Sequence, residues 1–593
     1  MIVNALYEYY QRLAADPRQD VPGYGYSSTG ISFAFNISPD GELLNVIDLR
    51  QTRNKKLVPV DARVPEQIKR SSGISPNFMC DNSTYMIGVD QKNKPDRAVL
   101  AFQASGERHK GILESLDDAG AQAVCAFFNE WDPKRAEEHS ALKPYIEDVT
   151  GGANIVFMLD GQVGFIHERS DIKTAWADYQ GKNASDVISQ CLVTGKVSPI
   201  ARLHPAIKGV PGGQSAGVSL VSFNDTAYEF FGKKQGSNSP VSEEAAFGYT
   251  TALNHLLKQS RQRLKLNDST VMVFWSEAGS REENLMAELL YPTQDKDQEK
   301  IDNTSAHDPE TVEMVRDTLR NVRNGRPIKL DSLDAETRFY ILGLSSNAAR
   351  LSVRFWQVDS FGVLVERIAR HHADMAIERP SNFQEAEFIP ITWILQETAP
   401  RRDKERIPPL MGGVLLRSIL TGSPYPQGLY TAILTRIRSD RTVNYVRAAI
   451  IRGCLIRQYR QAAATNPAQQ NQGVTISMSL DENNTNTGYR LGRLFAVLEK
   501  AQQDAQGPNI NATIRDKYFG SASATPAAVF PLLIRLSQHH IAKSDFGRMQ
   551  DRRIQSVLNG VQDFPQYLNL EDQGRFMLGY YHQKQAFYKK GEE

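Results

Sequence analysis

The sequence predicts an α+β protein, with a mixed α/β N-terminal region carrying β-hairpins and a C-terminal all-α helical bundle. Three observations lead there. In the first two-thirds of the chain, apolar and polar residues alternate between turn signals. After Pro400 the apolar residues recur instead at i, i+3, i+4 and i+7. A chain of 593 residues also exceeds one ordinary core, and domains of roughly 100–200 residues predict two to four of them. The expected division is 1–240, 241–400 and 401–593.

The first helix runs from Ile2 to Leu13, with Ile2, Leu6, Tyr9, Tyr10 and Leu13 near one face. A hairpin follows, in which Ile31, Phe33, Phe35 and Ile37 alternate with polar or small residues. Pro39-Asp40-Gly41 turns the chain and Leu43 to Leu49 returns. Ile155 to Leu159, Asp160-Gly161 and Val163 to Ile166 read as a second hairpin. Gly217 to Phe223 and Val271 to Trp275 read as strands. Leu351, Val353 and Phe355 alternate with Ser352, Arg354 and Trp356, a half-buried strand with one basic face.

Beyond Pro400, helices are expected over Leu410–Leu420, Leu429–Ile437 and Thr442–Tyr459. They are separated at Ser423-Pro424-Tyr425-Pro426 and closed by a polar joint from Ala464 to Gln472. Leu491, Leu494, Phe495 and Leu498 form the stripe of a further helix, and Val529, Leu532, Leu533 and Leu536 that of another. Each stripe needs a partner, so the two are expected to pair as an antiparallel hairpin.

Net charge is +1, which excludes a uniformly basic coat, but charge is uneven along the chain. From Arg401 to Arg460, twelve cations stand against three acids. Arg436, Arg438, Arg441, Arg447, Arg452 and Arg457 are the candidates there for binding a nucleic-acid strand; the other reading is a solvated helix face laced with ion pairs. Their spacing forms no single stripe, so some are expected to bind backbone and others to pair within the bundle.

Two loops carry phosphate-binding chemistry. Lys69-Arg70-Ser71-Ser72-Gly73-Ile74-Ser75-Pro76-Asn77 combines basic, hydroxyl and amide groups with a flexible glycine; Lys69, Arg70, Ser71, Ser72 and Asn77 are its candidate contacts. The run from Lys208 to Gly217 lets backbone amides approach a phosphate or a neighbouring subunit, with Lys208, Gly212, Gly213, Gln214 and Ser215 as candidates. It lacks the Lys-Ser/Thr ending of a nucleotide-binding P-loop. The alternative is a plain solvent loop for the first and a plain loop between strands for the second.

Catalytic signals are missing. His371-His372 and His539-His540 have no carboxylate at ligand spacing, so neither a metal nor another cofactor is expected. No G-x-S-x-G elbow occurs. The four cysteines form no CxxC pair, which fits a reducing cytoplasm. The N-terminus resembles no signal peptide, and no apolar run approaches the ~18 residues of a membrane span. A soluble, cytoplasmic, nucleic-acid-compatible protein that is not an enzyme is the reading from residues alone.

Several stretches resemble one family. GLSSNAARLSVRFW, GYRLGRLFAVLEKAQ, NATIRDKYFGSASATPAAVFP, LHPAIKGVPGGQSAGVSLVSFN, FFGKKQGSNSPVSEEAAFGYTTALNHLL and RIRSDRTVNYVRAAIIRGCLIR look like the large subunit of the type I-C CRISPR effector complex, Cascade. The resemblance implies a non-catalytic subunit seated beside the backbone subunits that coat the CRISPR RNA. Its N-terminal domain is then expected to read a protospacer-adjacent motif in duplex DNA and to promote strand separation and R-loop formation. The helical bundle would stabilise the displaced strand, and a recruited helicase-nuclease would cut. Base pairing with the guide reads sequence, so the protein needs only a short motif and backbone contacts. On this resemblance the Lys69–Asn77 loop reads the motif, and the Gly209–Gly217 loop separates strands or contacts a subunit. It also implies a small subunit translated from an internal start; Met478 would give a product of residues 478–593. The competing class is a stand-alone RNA-binding scaffold protein, which would bind without any guide complex.

Overall fold

The computed structural model describes residues 1–16, 18–19, 21–53, 56–68, 70, 73–90, 95–182, 184–277, 279–292, 309–328, 333–380, 386–465, 476–507 and 510–588. The chain is α+β, with the α/β elements first and helices last. It forms two units: residues 1–206 with 221–255, and residues 207–220 with 256–593. The boundaries differ from the expected ones. Residues 241–400 divide between the units, and the described part of the second unit holds a large apolar core whose members run from Leu266 to Tyr581.

In the first unit, Leu43–Asp48, Phe33–Ile37, Asn154–Leu159 and Cys80–Asn82 form a four-stranded sheet in that order. The first hairpin is as expected. The second is not: Asn154–Leu159 pairs parallel with Phe33–Ile37, and Val163 is fully exposed. Glu168 explains this, because its carboxylate accepts the Phe165 N–H at 3.1 Å and starts the short helix Ile166–Glu168. The apolar run Ile-Val-Phe-Met-Leu instead lies inside the sheet, as expected for a strand covered on both faces. On one face Phe33, Phe35 and Phe157 meet Phe127 and Phe128 of the helix Ala119–Glu130; on the other Ala34 and Val156 meet Ile31 and Val64.

The second unit holds a four-stranded antiparallel meander: Arg263–Lys265, Thr270–Ser276, Arg338–Asn347 and Arg350–Ser360. Its last strand is not the regular half-buried strand expected. Register slips between Gly343 and Leu344, which pair with Phe355 and Val353, so Arg354 is the extra residue of a bulge. Val353 therefore faces solvent while Phe355 is buried over Gly343, where a Cβ would lie 2.2 Å from the ring. Gly217 to Phe223 forms no strand either; left-handed Gly217 (φ +96°) breaks the pleat, leaving single bridges at Val218 and Ser219.

The expected C-terminal helices form, as Met411–Thr421, Gln427–Asp440, Tyr445–Thr465, Thr487–Gln506 and Pro526–Lys543. Ile514–Ala524, Gly547–Leu558 and Leu570–Ala586 join them. The Thr487–Gln506 helix packs on Pro526–Lys543, but its closest crossing is with Leu570–Ala586. There Gly488 and Gly492 lie against the backbone of Asp572 and Phe576, and Gly579 against Tyr489. A Cβ on Gly492 would sit 2.0 Å from the Phe576 carbonyl oxygen, so the helices can approach this closely only through glycine. Among the described residues, no helix is long and apolar enough to cross a membrane.

Candidate nucleic-acid interface

A surface that binds nucleic acid needs cations whose charge is not already neutralised. The arginines predicted from charge density mostly fail that requirement. Arg447 is buried, ion-paired to Glu397 (2.7 Å) and Asp440 (2.5 Å). Arg457 is buried against Asp374 (2.9 Å), donates to the carbonyls of Ser418 and Ser423 at 2.8 Å, and lies 4.1 Å over the Tyr425 ring. Arg452 is buried and donates to the carbonyls of Ser477, Ala373 and Asp374; burial pushes its pKa down to about 10. These three hold helices together. Arg436 pairs with Asp440 at 3.0 Å and Arg438 donates to Gln573. Of the six, only Arg441 is exposed, at the left-handed C-cap of its helix.

Uncommitted cations stand further along the chain. Arg535, His539 and Lys543 recur every fourth residue on Pro526–Lys543, hence along one face, as do Arg548 and Arg552 on the adjoining Gly547–Leu558. Arg535, Lys543, Arg548 and Arg552 are exposed and have no hydrogen-bond or ion-pair partner among the described residues. Phe546 and Met549, also exposed, lie among them in sequence. The fourfold spacing was readable in the sequence; the higher charge density upstream obscured it.

The Lys69–Asn77 loop needs the same sorting. Lys69, Ser71 and Ser72 lie outside the described residues. Arg70 grips Asp81 with both terminal nitrogens, donates from Nε to the Ser75 carbonyl at 2.6 Å, and lies 3.9 Å over the Tyr85 ring. Asn77 is buried; its Oδ1 accepts from Ile68 N–H at 2.8 Å and its Nδ2 donates to Gln67 at 2.7 Å. Both are therefore frame, not contact: their polar groups are spent on holding the loop closed. Two arginines missed in the sequence adjoin it. Arg97 is exposed and donates to the Gly73 carbonyl at 3.1 Å; half-buried Arg108 donates to the Pro76 carbonyl at 3.0 Å. They lie eleven residues apart on the helix Pro95–Leu113, three turns along one face, and that spacing is the signal that would have found them. Burial lowers the Arg108 pKa, and its Nε finds no acceptor among the described residues.

The glycine-rich loop belongs to the second unit. Bonds of 2.8 Å in both directions between Ile207 and Val218 close its base. Ser346 Oγ donates to the Pro211 carbonyl at 2.9 Å, and Ser219 bonds the backbone of Ala349 and Leu351. Gly209 and Gly212 take the left-handed φ that their turns require (+83° and +70°). Lys208, Gly212, Gln214 and Ser215 are exposed on this pinned loop and Gly213 half-buried.

The histidine pair His371-His372 is internal: His371 meets the Tyr425 hydroxyl at 2.5 Å, and His372 Nε2 the Leu289 carbonyl at 3.0 Å. No curated protein matches the chain. A family model described as CRISPR-associated protein (Cas_Csd1) matches residues 6–588, so this chain belongs to that CRISPR-associated family.

Proposed function

We propose that this chain is the non-catalytic large subunit of a type I-C CRISPR surveillance complex. It recognises the protospacer-adjacent motif in duplex DNA, promotes strand separation and R-loop formation, stabilises the displaced strand, and helps recruit the helicase-nuclease. Family membership supports the setting. The observation that carries the strand-handling part is the row of uncommitted cations Arg535, Lys543, Arg548 and Arg552 on two adjoining helices. A run of fixed positive charge binds a phosphate backbone without reading bases, which suits a partner whose sequence is read by the guide. Motif reading goes to the Lys69–Asn77 loop together with Arg97, on a frame held by Arg70, Asn77 and Asp81.

The complex is reconstituted with its CRISPR RNA and this chain carrying Arg535, Lys543, Arg548 and Arg552 all changed to Gln. Assembly should survive, since these side chains have no hydrogen-bond or ion-pair partner among the described residues. R-loop yield should fall, and the slope of log binding constant against log salt should shrink by ~2–3, from about 0.7 per lost single-strand phosphate contact. Unchanged R-loop yield and slope overturn the assignment.

A further inference from the structure

Between Phe230 and Asn238 the first unit presents an exposed loop whose shape its own polar groups fix. Asn238 Oδ1 accepts the Phe230 N–H at 3.0 Å, and its Nδ2 donates to the carbonyls of Lys233 and Gln235 at 3.0 Å each. Gly236 N–H donates to the Arg202 carbonyl at 3.1 Å, and Arg202 Nη1 reaches Gln235 Oε1 at 2.8 Å. A Cβ on Gly236 would lie 2.0 Å from the Ala201 carbonyl oxygen, so the loop closes this tightly only on glycine.

What this frame displays is unusual. Phe230 is 62 % exposed and Phe231 fully so, at 101 %. Phe231 and Gln235 also hold left-handed backbones (φ 52° and 44°), which side chains other than glycine rarely adopt. Two rings are thus kept in water, one on a strained backbone, although both would gain by burial. Lys233 and Lys234 follow directly, both exposed. Of the two acids nearby, Asp225 caps the Ala227 N–H and Glu229 is half-buried.

We propose that Phe230 and Phe231 form a stacking site for an unpaired nucleobase of single-stranded nucleic acid, with Lys233 and Lys234 on its phosphates. An aromatic face accepts any base, and adjacent cations supply the backbone attraction. The lysines favour nucleic acid over a protein pocket, because lysine is depleted at the buried centre of protein interfaces. The inference rests on the nucleic-acid reading above but needs no partner subunit, so the full-length chain alone tests it.

The probe is a single-stranded oligonucleotide carrying 5-iodouracil, read by anisotropy titration and by mapping of photo-cross-links. F231N removes a ring while keeping a residue that tolerates the left-handed backbone; F231W restores one. F231N should weaken binding ~10-fold or more with an unchanged salt slope, and F231W should bind as wild type. K233Q/K234Q should lower the slope by ~1.4. Cross-links should fall on Phe230 or Phe231, and no variant should shift the melting temperature. Unchanged affinity for F231N, or cross-links confined elsewhere, overturn the site. Intact oligonucleotide binding by F231N together with loss of a protein partner also overturns it, in favour of a docking knob. If the isolated chain ignores the oligonucleotide while the assembled complex still needs it for target binding, the stacking site fails and the proposed function stands.

Discussion

Replacing Arg457 by Met separates the two readings of the basic helix Tyr445–Thr465. If Arg457 binds a nucleic-acid strand, its loss weakens binding and leaves the fold intact. The structure predicts the reverse. Its guanidinium satisfies Asp374, whose side chain is 4 % exposed, and the carbonyls of Ser418 and Ser423. Breaking a buried ion pair by removing one partner costs about 3–5 kcal/mol. Arg460 still reaches Asp374 at 2.6 Å, which holds the loss near the lower end, ~3–4 kcal/mol. Unfolding entropy scales with length, so a unit of this size loses ~5 °C in melting temperature for that cost. Calorimetry on the full chain gives the shift, and oligonucleotide titration over a salt series gives the slope. R548Q/R552Q is the mirror case, with an unchanged melting temperature and a slope reduced by ~1.4. An R457M protein that melts as wild type but binds with a smaller salt slope refutes the sorting of structural from functional arginines.

Gly492→Ala should destabilise the chain by ~1–3 kcal/mol or more, because its Cβ meets the Phe576 carbonyl at 2.0 Å. Gly520→Ala, in a helix with nothing within 4 Å, should instead stabilise by ~0.5–1 kcal/mol, so denaturant midpoints of the two must move in opposite directions. Acid should weaken the fold through buried histidines. Burial lowers His109, His204 and His372 to about 4 and His582 to about 3, against ~6.5 unfolded. Below pH ~6.5 the unfolded chain binds the extra protons, so stability present at neutral pH is lost as pH falls toward 4. Each histidine costs ~2 kcal/mol by pH 5, and urea unfolding at pH 7 and pH 5 measures the sum. Finally, untagged expression of the complex should yield a fragment starting at Met478, which keeps the five helices from Thr487 to Ala586; a mass spectrum without such a fragment contradicts it.

Periodicity made the first helix and five C-terminal helices legible in the sequence, because each buries a stripe its own residues define, whereas Ile514–Ala524, Gly547–Leu558 and Leu570–Ala586 were not foreseen. The first hairpin was legible from its turn. What sequence did not reveal was pairing at a distance. Asn154–Leu159 reads like a hairpin strand until its parallel neighbour, more than a hundred residues earlier, is known. The same holds for charge. Arg457 looks available beside its local neighbours, and only the fold brings Asp374 to it across 83 residues. Local density therefore pointed mostly to arginines that are spent, while Arg535, Lys543, Arg548 and Arg552, at lower density, have no partner among the described residues. Arg70 and Asn77 follow the same rule: Asp81, a few residues on, accepts from the Arg70 guanidinium and the Asn77 N–H. The glycines of Gly488-Tyr489-Arg490-Leu491-Gly492 were in plain view, but a stripe count weighs only apolar side chains and passes over a crossing made of backbone.

The most direct test of the central claim is target-duplex binding by the complex reconstituted with its CRISPR RNA, with and without this chain, across a library of randomised flanking bases. The account predicts that binding depends on the chain and on a few flanking positions, and that changing Arg97 alters that preference without disturbing assembly. A flanking preference that survives removal of the chain would contradict it, because another subunit would then be reading the motif.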